Sequence, residues 1–340
     1  MVASREKAKW KTTQTEKSTT KNEASLTMSG HELKISLYNA NIKKRGILKM
    51  AETKYGEYIK TLSFRDDGPG FYRQVAEMNG EFLGLDVHIE YGAYCAAGKM
   101  GKEPFCAEVH DFDQVMLWMG TDTDDLGELG AEVELVLGEG GEKHMIASST
   151  VVFIPKGLPH LPATITKMDK RFIFMTISLA PKLKTSPYTL EKVASEPAGW
   201  RDAKHRDKIL HVPFERKGAW HYGPDNRDDA GGSISNINGK DFDFNMSYES
   251  IKKVPYRFGP VPDKPHVHPY HEFLLFMGAD TNDLSELGAE VEMSMGKEME
   301  RHVITTPTIV QQPKGFPHCP LVVTKLDKPF IFAVIRPFGH

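Results

Sequence analysis

Histidines and a glutamate with the spacing of metal ligands lie in one short segment, KPHVHPYHEFLLFMG, of the C-terminal half of the chain. His266, His268 and Glu272 are separated by even numbers of residues, so on an extended strand their side chains point to one face. His318 follows in PKGFPHCP, where prolines and a glycine predict a turn that returns the chain to a neighbouring strand. Together these four residues predict one site for a divalent transition metal, either Fe, Mn, Ni, Cu or Zn.

Such a metal would keep open positions for other molecules. Metals that prefer six ligands receive only four from the protein, and two positions stay free for a substrate or O2. Three neutral imidazoles and one carboxylate leave a divalent ion with about one net positive charge. That charge favours small oxygenated or anionic organic molecules as substrates.

The elements that must position these residues are indicated by an internal repeat. Residues 120–138, GTDTDDLGELGAEVELVLG, align without a gap on residues 278–296, GADTNDLSELGAEVEMSMG, with 13 of 19 positions identical. The same offset of 158 residues aligns IPKGLPHLP with QPKGFPHCP. We therefore predict two domains of one fold, an N-terminal domain over 50–180 and a C-terminal domain over 236–340, joined by a linker over 181–235.

The segment before the first domain has a different composition. Its first 30 residues are rich in Lys, Thr, Ser and Glu and poor in large aliphatic side chains, which predicts that residues 1–49 form a disordered tail. A second interpretation stays open, in which residues 1–49 are an upstream extension of a protein that begins at Met50.

Alternation of apolar and polar side chains predicts strands in both repeats. Val133, Leu135 and Leu137 alternate with glutamates in GAEVELVLG, and the second copy has Val291 and Met293 at the equivalent positions. Short β-branched and aromatic runs such as TVVFI and FLLFM are separated by proline and glycine. This pattern predicts an all-β sandwich or barrel in each half. The segment DDLGELG is predicted to form one helical turn or a loop.

Both motifs of the second repeat resemble those of the cupin family. HVHPYHE, which begins at His266, matches HxH, then three intervening residues, then Glu; PKGFPH, which ends at His318, matches PxGxxH. The repeat makes the chain similar to a bicupin over residues 75–180 and 235–340. The resemblance implies two tandem jelly-roll barrels, or double-stranded β-helices, with the metal held by the four predicted ligands in the mouth of the second barrel.

The first repeat keeps only part of the metal motif. The equivalent positions there hold a glutamate, two histidines and a glutamine: Glu108, His110, Gln114 and His160. An amide in place of the carboxylate changes both affinity and selectivity for a metal. These residues are a second, weaker candidate site, and the alternative is a barrel that only supports the other one.

Resemblance to cupins implies a dioxygenase, a decarboxylase or an isomerase. We favour a metal-dependent oxidoreductase of the dioxygenase type, because that activity is common among cupins that retain a metal. No catalytic acid or base is identified from the sequence. The alternative is a non-catalytic bicupin that binds a metal and a ligand. Either function implies a small-molecule partner, and pairing of two copies into a homodimer stays open.

Composition excludes several other classes of protein. With 43 Lys and Arg against 46 Asp and Glu, the net charge of −3 provides no basic surface for nucleic acid. No apolar run approaches the roughly 18 residues that a membrane span requires. Cys95, Cys106 and Cys319 have neither CxxC spacing nor the density of a disulfide scaffold, and the N-terminus lacks the apolar core of a secretory signal. We expect a cytoplasmic protein with reduced cysteines.

Overall fold

The structure is a computed structural model that describes residues 53–66, 72–101, 105–199, 202–214, 231–238, 242–258 and 264–338. The predicted tail or extension over 1–49 lies outside these residues. Helices in the described part of the chain are single turns: Gly56–Tyr58, Gly80–Leu83 and Arg206–Lys208. None of them has the length or the apolar character needed to cross a membrane.

Antiparallel strands make up most of the described chain. In chain order the strands are β1 (Ile59–Thr61), β2 (Tyr72–Met78), β3 (His88–Tyr94), β4 (Gly98–Lys99), β5 (Ala107–Val109), β6 (Gln114–Met119), β7 (Glu128–Leu137), β8 (Glu142–Ser148), β9 (Thr150–Ile154), β10 (His160–Met168), β11 (Phe172–Ser178), β12 (Ser186–Tyr188), β13 (Ile209–His211), β14 (Gly231–Asn238), β15 (Asn245–Ile251), β16 (Tyr256–Phe258), β17 (Glu272–Gly278), β18 (Ala289–Met295), β19 (Glu300–Ile304), β20 (Thr308–Gln312), β21 (His318–Leu326) and β22 (Phe330–Arg336).

Four sheets form two barrels. In the N-terminal barrel one sheet has the order β13-β9-β6-β11-β3-β2, and the other has the order β12-β5-β10-β7-β8 with β4 beside β10. In the C-terminal barrel the sheets have the orders β1-β20-β17-β22-β15-β14 and β16-β21-β18-β19. Strands at equivalent positions of the repeat therefore occupy equivalent places in the two barrels. The predicted all-β architecture of two tandem jelly-roll barrels is confirmed.

Three apolar cores hold this arrangement together. One lies inside each barrel, and the third lies between the sheet that contains β6 and the sheet that contains β17. Strand β6 is buried at every position because Met116 and Trp118 pack inside the N-terminal barrel, whereas Val115 and Leu117 pack between the sheets. Burial on both faces explains why the central strands read as continuous apolar runs.

The segments that precede the barrels are exchanged between them. Arm 1, which comprises residues 53–61, precedes the N-terminal barrel, but its strand β1 pairs with β20 of the C-terminal barrel. Arm 2, which comprises residues 204–211, precedes the C-terminal barrel, but its strand β13 pairs with β9 of the N-terminal barrel. Edge strands thus come from segments that the sequence assigns to the N-terminal domain and to the linker. The predicted boundaries themselves stay a prediction.

One glutamate in each barrel anchors the exchanged arm. Glu300 accepts hydrogen bonds from the backbone N–H groups of Lys54 and Tyr55, at 3.0 and 3.1 Å. Glu142, at the equivalent position of the first repeat, accepts two backbone N–H groups of arm 2, at 2.9 and 3.2 Å. The repeat therefore extends to the attachment of the arms, which cover exposed sheet edges.

The acidic segment between β6 and β7 forms turns, so the first four residues of the predicted DDLGELG are a loop, whereas its last three belong to β7. Carboxylate oxygens of Asp122 and Asp125 accept the backbone N–H groups of Asp124 and Gly127, both at 3.0 Å. The second repeat makes the same two bonds at the equivalent residues. Such local bonds favour turns over a continued helix.

Candidate metal centre

The structure brings His266, His268, Glu272 and His318 together where β17 and β21 begin. Nε2 of His266 and Nε2 of His268 are 3.1 Å apart. Oε1 of Glu272 lies 3.7 Å from Nε2 of His268 and 3.7 Å from Nε2 of His318. One ligand atom from each imidazole falls within 4.8 Å of the other two. Convergent donors of this kind are what a metal ion requires.

The expected reason for this convergence, a single strand that carries the first three residues, is wrong. Strand β17 begins only at Glu272, and the segment before it contains Pro269, which has no N–H to donate to a strand ladder. Backbone bonds to the second motif hold the segment instead, since the N–H groups of His266 and His318 each donate to the other residue's carbonyl oxygen, at 3.0 and 3.1 Å. A tertiary contact therefore brings the imidazoles to the carboxylate.

Neighbouring groups orient two of the rings. Nδ1 of His318 lies 3.1 Å from the carbonyl oxygen of Phe316. Because a carbonyl only accepts, the proton is assigned to Nδ1, and Nε2 keeps a lone pair. Tyr270 stacks on His268 with ring centroids 5.1 Å apart, and its hydroxyl lies 3.3 Å from Nδ1. Contacts at Nδ1 are the usual means by which a metal-binding histidine is oriented.

A buried arginine, not identified from the sequence, contacts Glu272 on the side away from the histidines. Nε of Arg336 donates to Oε2 of Glu272 at 2.9 Å, and Nη1 donates to Oδ1 of Asn245 at 2.8 Å. Only 7% of Arg336 is exposed. The guanidinium therefore offsets the charge at Oε2 while Oε1 faces the histidines. The signal in the sequence that could have indicated this arginine is its position as the one charged residue at the end of the apolar run FIFAVIR.

Burial keeps the imidazoles neutral. It lowers the pKa of His266 to about 4, with a further contribution from His318. It also lowers the pKa of His268 to about 4, followed by the effects of His266 and Arg336. The pKa of His318 is lowered mainly by burial, although Glu272 opposes this shift. Since neutral imidazole is the form that binds a metal, these side chains are able to act as ligands at neutral pH.

In the first repeat, Glu108, His110 and His160 come together at the equivalent place in the N-terminal barrel. Oε1 of Glu108 lies 3.5 Å from Nε2 of His160, and the two imidazole centroids are 4.8 Å apart. Nδ1 of His110 lies 2.6 Å from the carbonyl oxygen of Phe112, and Nδ1 of His160 lies 3.0 Å from that of Leu158. Both Nε2 atoms are buried and make no hydrogen bond within the described part of the chain. Two histidines and one carboxylate are thus available there.

Gln114, the fourth candidate of the first repeat, has a different partner. Its Nε2 donates to Oγ of Ser178 at 2.9 Å. Gln114 and Ser178 occupy the positions of Glu272 and Arg336, so a neutral hydrogen bond replaces the buried ion pair of the other barrel. The carboxylate of this group is instead Glu108. The pKa of Glu108 is lowered overall: burial, the largest single effect, raises it, but the contacts of the carboxylate with His160, Thr185 and His110 together outweigh burial.

A cavity of about 320 Å³ adjoins this group in the N-terminal barrel. Glu108 and Gln114 line it, together with aromatic side chains that include Tyr94, Phe105 and Phe174. The volume is at the lower end of the range for small-molecule pockets. The first barrel therefore has room for a small organic molecule beside its incomplete motif.

Comparisons with known proteins find similarity in structure alone. No protein-family model matches the sequence, and no curated protein matches it. Oxalate decarboxylase from Bacillus subtilis at pH 4.6 is 11% identical with a TM-score of 0.50, over 83% of this chain and 75% of that chain. A second structure of oxalate decarboxylase, which concerns its substrate binding mode, is 10% identical with a TM-score of 0.50, over 83% of this chain and 76% of that chain. AerE from Microcystis aeruginosa is 11% identical with a TM-score of 0.49, over 83% and 100%.

Strand topology and the structural comparisons together define the fold. Two tandem jelly-roll barrels related by an internal repeat, with structural similarity to oxalate decarboxylase, give this chain the two-domain cupin, or bicupin, fold.

Proposed function

We propose that the protein is a metal-dependent bicupin enzyme that acts on a small oxygenated or anionic organic substrate at the C-terminal barrel. His266, His268, Glu272 and His318 hold a divalent transition metal, which is Fe, Mn, Ni, Cu or Zn. The observation that carries the proposal is the approach of Oε1 of Glu272 to 3.7 Å from Nε2 of two neutral imidazoles, the half-buried His268 and the buried His318. A cation between these donors gives Oε1 and the imidazole lone pairs a partner, which Arg336 at Oε2 does not provide.

When bound, the metal supplies a Lewis acid that polarises a substrate oxygen and, if it is redox-active, a site for O2. Four protein ligands leave two positions of a six-coordinate ion to the substrate. Arg336 holds Glu272 in one orientation and offsets its charge. The net charge of a bound divalent ion together with Glu272 and Arg336 is therefore about +2. This charge favours anionic oxygenated substrates over neutral ones.

We rank oxidation of the dioxygenase type first, because it is common among cupins that retain the metal. Decarboxylation is the second candidate reaction, since the fold is similar to that of oxalate decarboxylase. Mn(II) centres are described for oxalate decarboxylase from Bacillus subtilis, and manganese is therefore included among the metals to be tested. Isomerisation stays a further alternative, as does a non-catalytic bicupin that binds a metal and a ligand.

Elemental analysis of purified variants tests the metal centre. We expect His266→Ala and His318→Ala to abolish stoichiometric metal, because each removes one of four ligands. His160→Ala is the matched control, since it removes the histidine equivalent to His318 from the first barrel. It should leave most of the metal in place. If His160→Ala and His318→Ala lost equal amounts of metal, the assignment of the C-terminal barrel as the principal site would be contradicted.

Turnover assays on metal-loaded protein separate the candidate reactions. The protein would be supplied with O2 and a panel of small organic acids and ketones, while O2 uptake and CO2 release are recorded. Uptake of O2 supports the dioxygenase, and release of CO2 without uptake supports the decarboxylase. A bound metal whose spectrum responds to the panel, with no O2 uptake, no CO2 release and no isomerised product, supports the non-catalytic alternative.

A further inference from the structure

Gln312 is a buried amide in the C-terminal barrel with no hydrogen bond to the described residues. The residue is 1% exposed, and neither its Nε2 nor its Oε1 has a partner. Buried amides are nearly always paired, because an unpaired one loses its bonds to water without replacement. The side chain therefore needs a partner from outside this part of the chain.

The position of Gln312 directs its side chain towards the proposed metal centre. Gln312 and Glu272 are paired residues of β20 and β17. Side chains of directly opposite residues in antiparallel strands point to the same face, with Cβ atoms about 5 Å apart. Since Glu272 faces the histidines, Gln312 enters the barrel at the same level. Its neighbour Gln311 points to the other face of the sheet, where its amide lies beside Gly84.

The first barrel has an apolar residue at the equivalent position. Ile154 is paired with Gln114, as Gln312 is paired with Glu272, and it packs inside the N-terminal barrel. An isoleucine therefore fits this place in the fold, and strand structure does not require the amide. The amide occurs in the barrel that has the complete metal motif.

We infer that Gln312 contacts the small molecule that binds at the metal centre and that this molecule is a small 2-hydroxycarboxylate. The inference rests on the proposed function and narrows its substrate class. A primary amide presents one donor group and one acceptor side by side. A carboxylate oxygen of the ligand accepts from Nε2, and the adjacent hydroxyl donates to Oε1. A ligand without the hydroxyl leaves Oε1 of Gln312 unpaired.

Glycolate and methoxyacetate are matched probes of this contact. Both offer a carboxylate and an adjacent oxygen to the metal, but only glycolate has a hydroxyl hydrogen to donate. Protein reconstituted with Co(II) would be titrated with each probe, and binding would be followed in the visible spectrum. We expect the wild-type protein to prefer glycolate. Loss of both hydrogen bonds in Gln312→Ile should weaken glycolate binding about tenfold or more and remove this preference.

Gln311→Ile is the control, because it makes the same change on the opposite face of β20. It should leave both titrations unchanged. Gln312→Met keeps the length of the side chain without its hydrogen bonds and replaces Gln312→Ile if that variant does not fold. Elemental analysis would accompany each titration, since the amide is not a metal ligand and Co(II) content should equal that of the wild type.

The outcomes distinguish this inference from the proposed function. If wild-type protein holds Co(II) but glycolate and methoxyacetate bind Gln312→Ile as they bind the wild type, the role of Gln312 is overturned and the metal centre stands. A partner that is only ordered water gives this same result. If wild-type protein does not hold Co(II) or any of the other candidate metals, the proposed function fails, and the inference fails with it.

Discussion

Single residues account for the chemical difference between the two barrels. The C-terminal barrel has the buried ion pair of Glu272 and Arg336, whereas the N-terminal barrel has the neutral pair of Gln114 and Ser178. Substitution at only one of these two positions would leave a buried charge without its partner, and such a charge is strongly destabilising. The two positions therefore depend on each other, although they are 64 residues apart in the chain.

Removal of the guanidinium tests this dependence. We expect Arg336→Ser to lower the free energy of unfolding by about 3–5 kcal/mol, because Glu272 stays buried without its counter-charge. The double variant Glu272→Gln with Arg336→Ser, which has the residues of the first barrel, should recover most of that loss. Urea unfolding of metal-free protein measures both. A double variant as unstable as Arg336→Ser would show that the ion pair is not the cause.

At the scale of elements, arm 1 supports the turn that carries His318. Tyr55 and Tyr58 each pack on Phe316 with ring centroids 5.1 Å apart. The carbonyl oxygen of Phe316 in turn orients the imidazole of His318. A segment that precedes the first barrel thus helps to position a candidate metal ligand of the second.

Tyr58→Ala should therefore weaken metal binding at the C-terminal barrel as well as stability. Loss of the aromatic contact removes about 1 kcal/mol of packing and loosens the turn. Lys208→Ala is the control, since Lys208 has the equivalent position in arm 2 and lies against the other barrel. Titration with Zn²⁺ or Co²⁺ measures affinity, and thermal unfolding measures stability. Equal metal affinity in the two variants would contradict a role for arm 1.

Because arm 1 packs closely against Gly296, we expect Gly296→Ala to lower the free energy of unfolding strongly. Gly296 has a φ of +72°, and a Cβ there would lie 2.1 Å from the ring of Tyr55. Gly157 has a φ of +80°, but a Cβ added there would meet no atom within 4 Å, so Gly157→Ala measures backbone strain alone. We expect that strain to cost about 1 kcal/mol and Gly296→Ala to cost clearly more. Similar melting temperatures for the two variants would argue against tight docking of the arm.

At the scale of the whole molecule, burial of histidines couples folding to pH. Burial lowers the pKa of five imidazoles in the described part of the chain: His110, His144, His266, His268 and His318. Below pH 6.5, the ordinary value, the unfolded chain binds protons that the folded protein does not bind. Protonation therefore stabilises the unfolded state as the pH falls towards 4.

Metal-free protein should accordingly become less stable between pH 6.5 and about 4, the pKa of folded His266 and His268. Thermal unfolding in the presence of a chelator, recorded across this range, measures the effect. His266→Gln removes one of these groups, and its melting temperature should fall less steeply with decreasing pH. A melting temperature that stays constant from pH 7 to pH 5 would contradict the prediction.

Local sequence patterns were sufficient for the fold class and for the choice of candidate ligands. The repeat, the alternation in GAEVELVLG and the two short motifs are contiguous in the chain, so they are readable without knowledge of strand pairing. The all-β bicupin architecture follows from them. They also select His266, His268, Glu272 and His318, although their convergence depends on a backbone contact between two motifs and not on a common strand.

Only the tertiary structure decided which distant residues surround these candidate ligands. Arg336 reaches Glu272 because β22 lies beside β17, and Gln312 lies opposite Glu272 because β20 is the other neighbour. Exchange of the arms likewise depends on which barrel presents a free edge to β1 and β13. Strand order is a property of packing between segments far apart in sequence, and a local pattern of side chains contains no information about it.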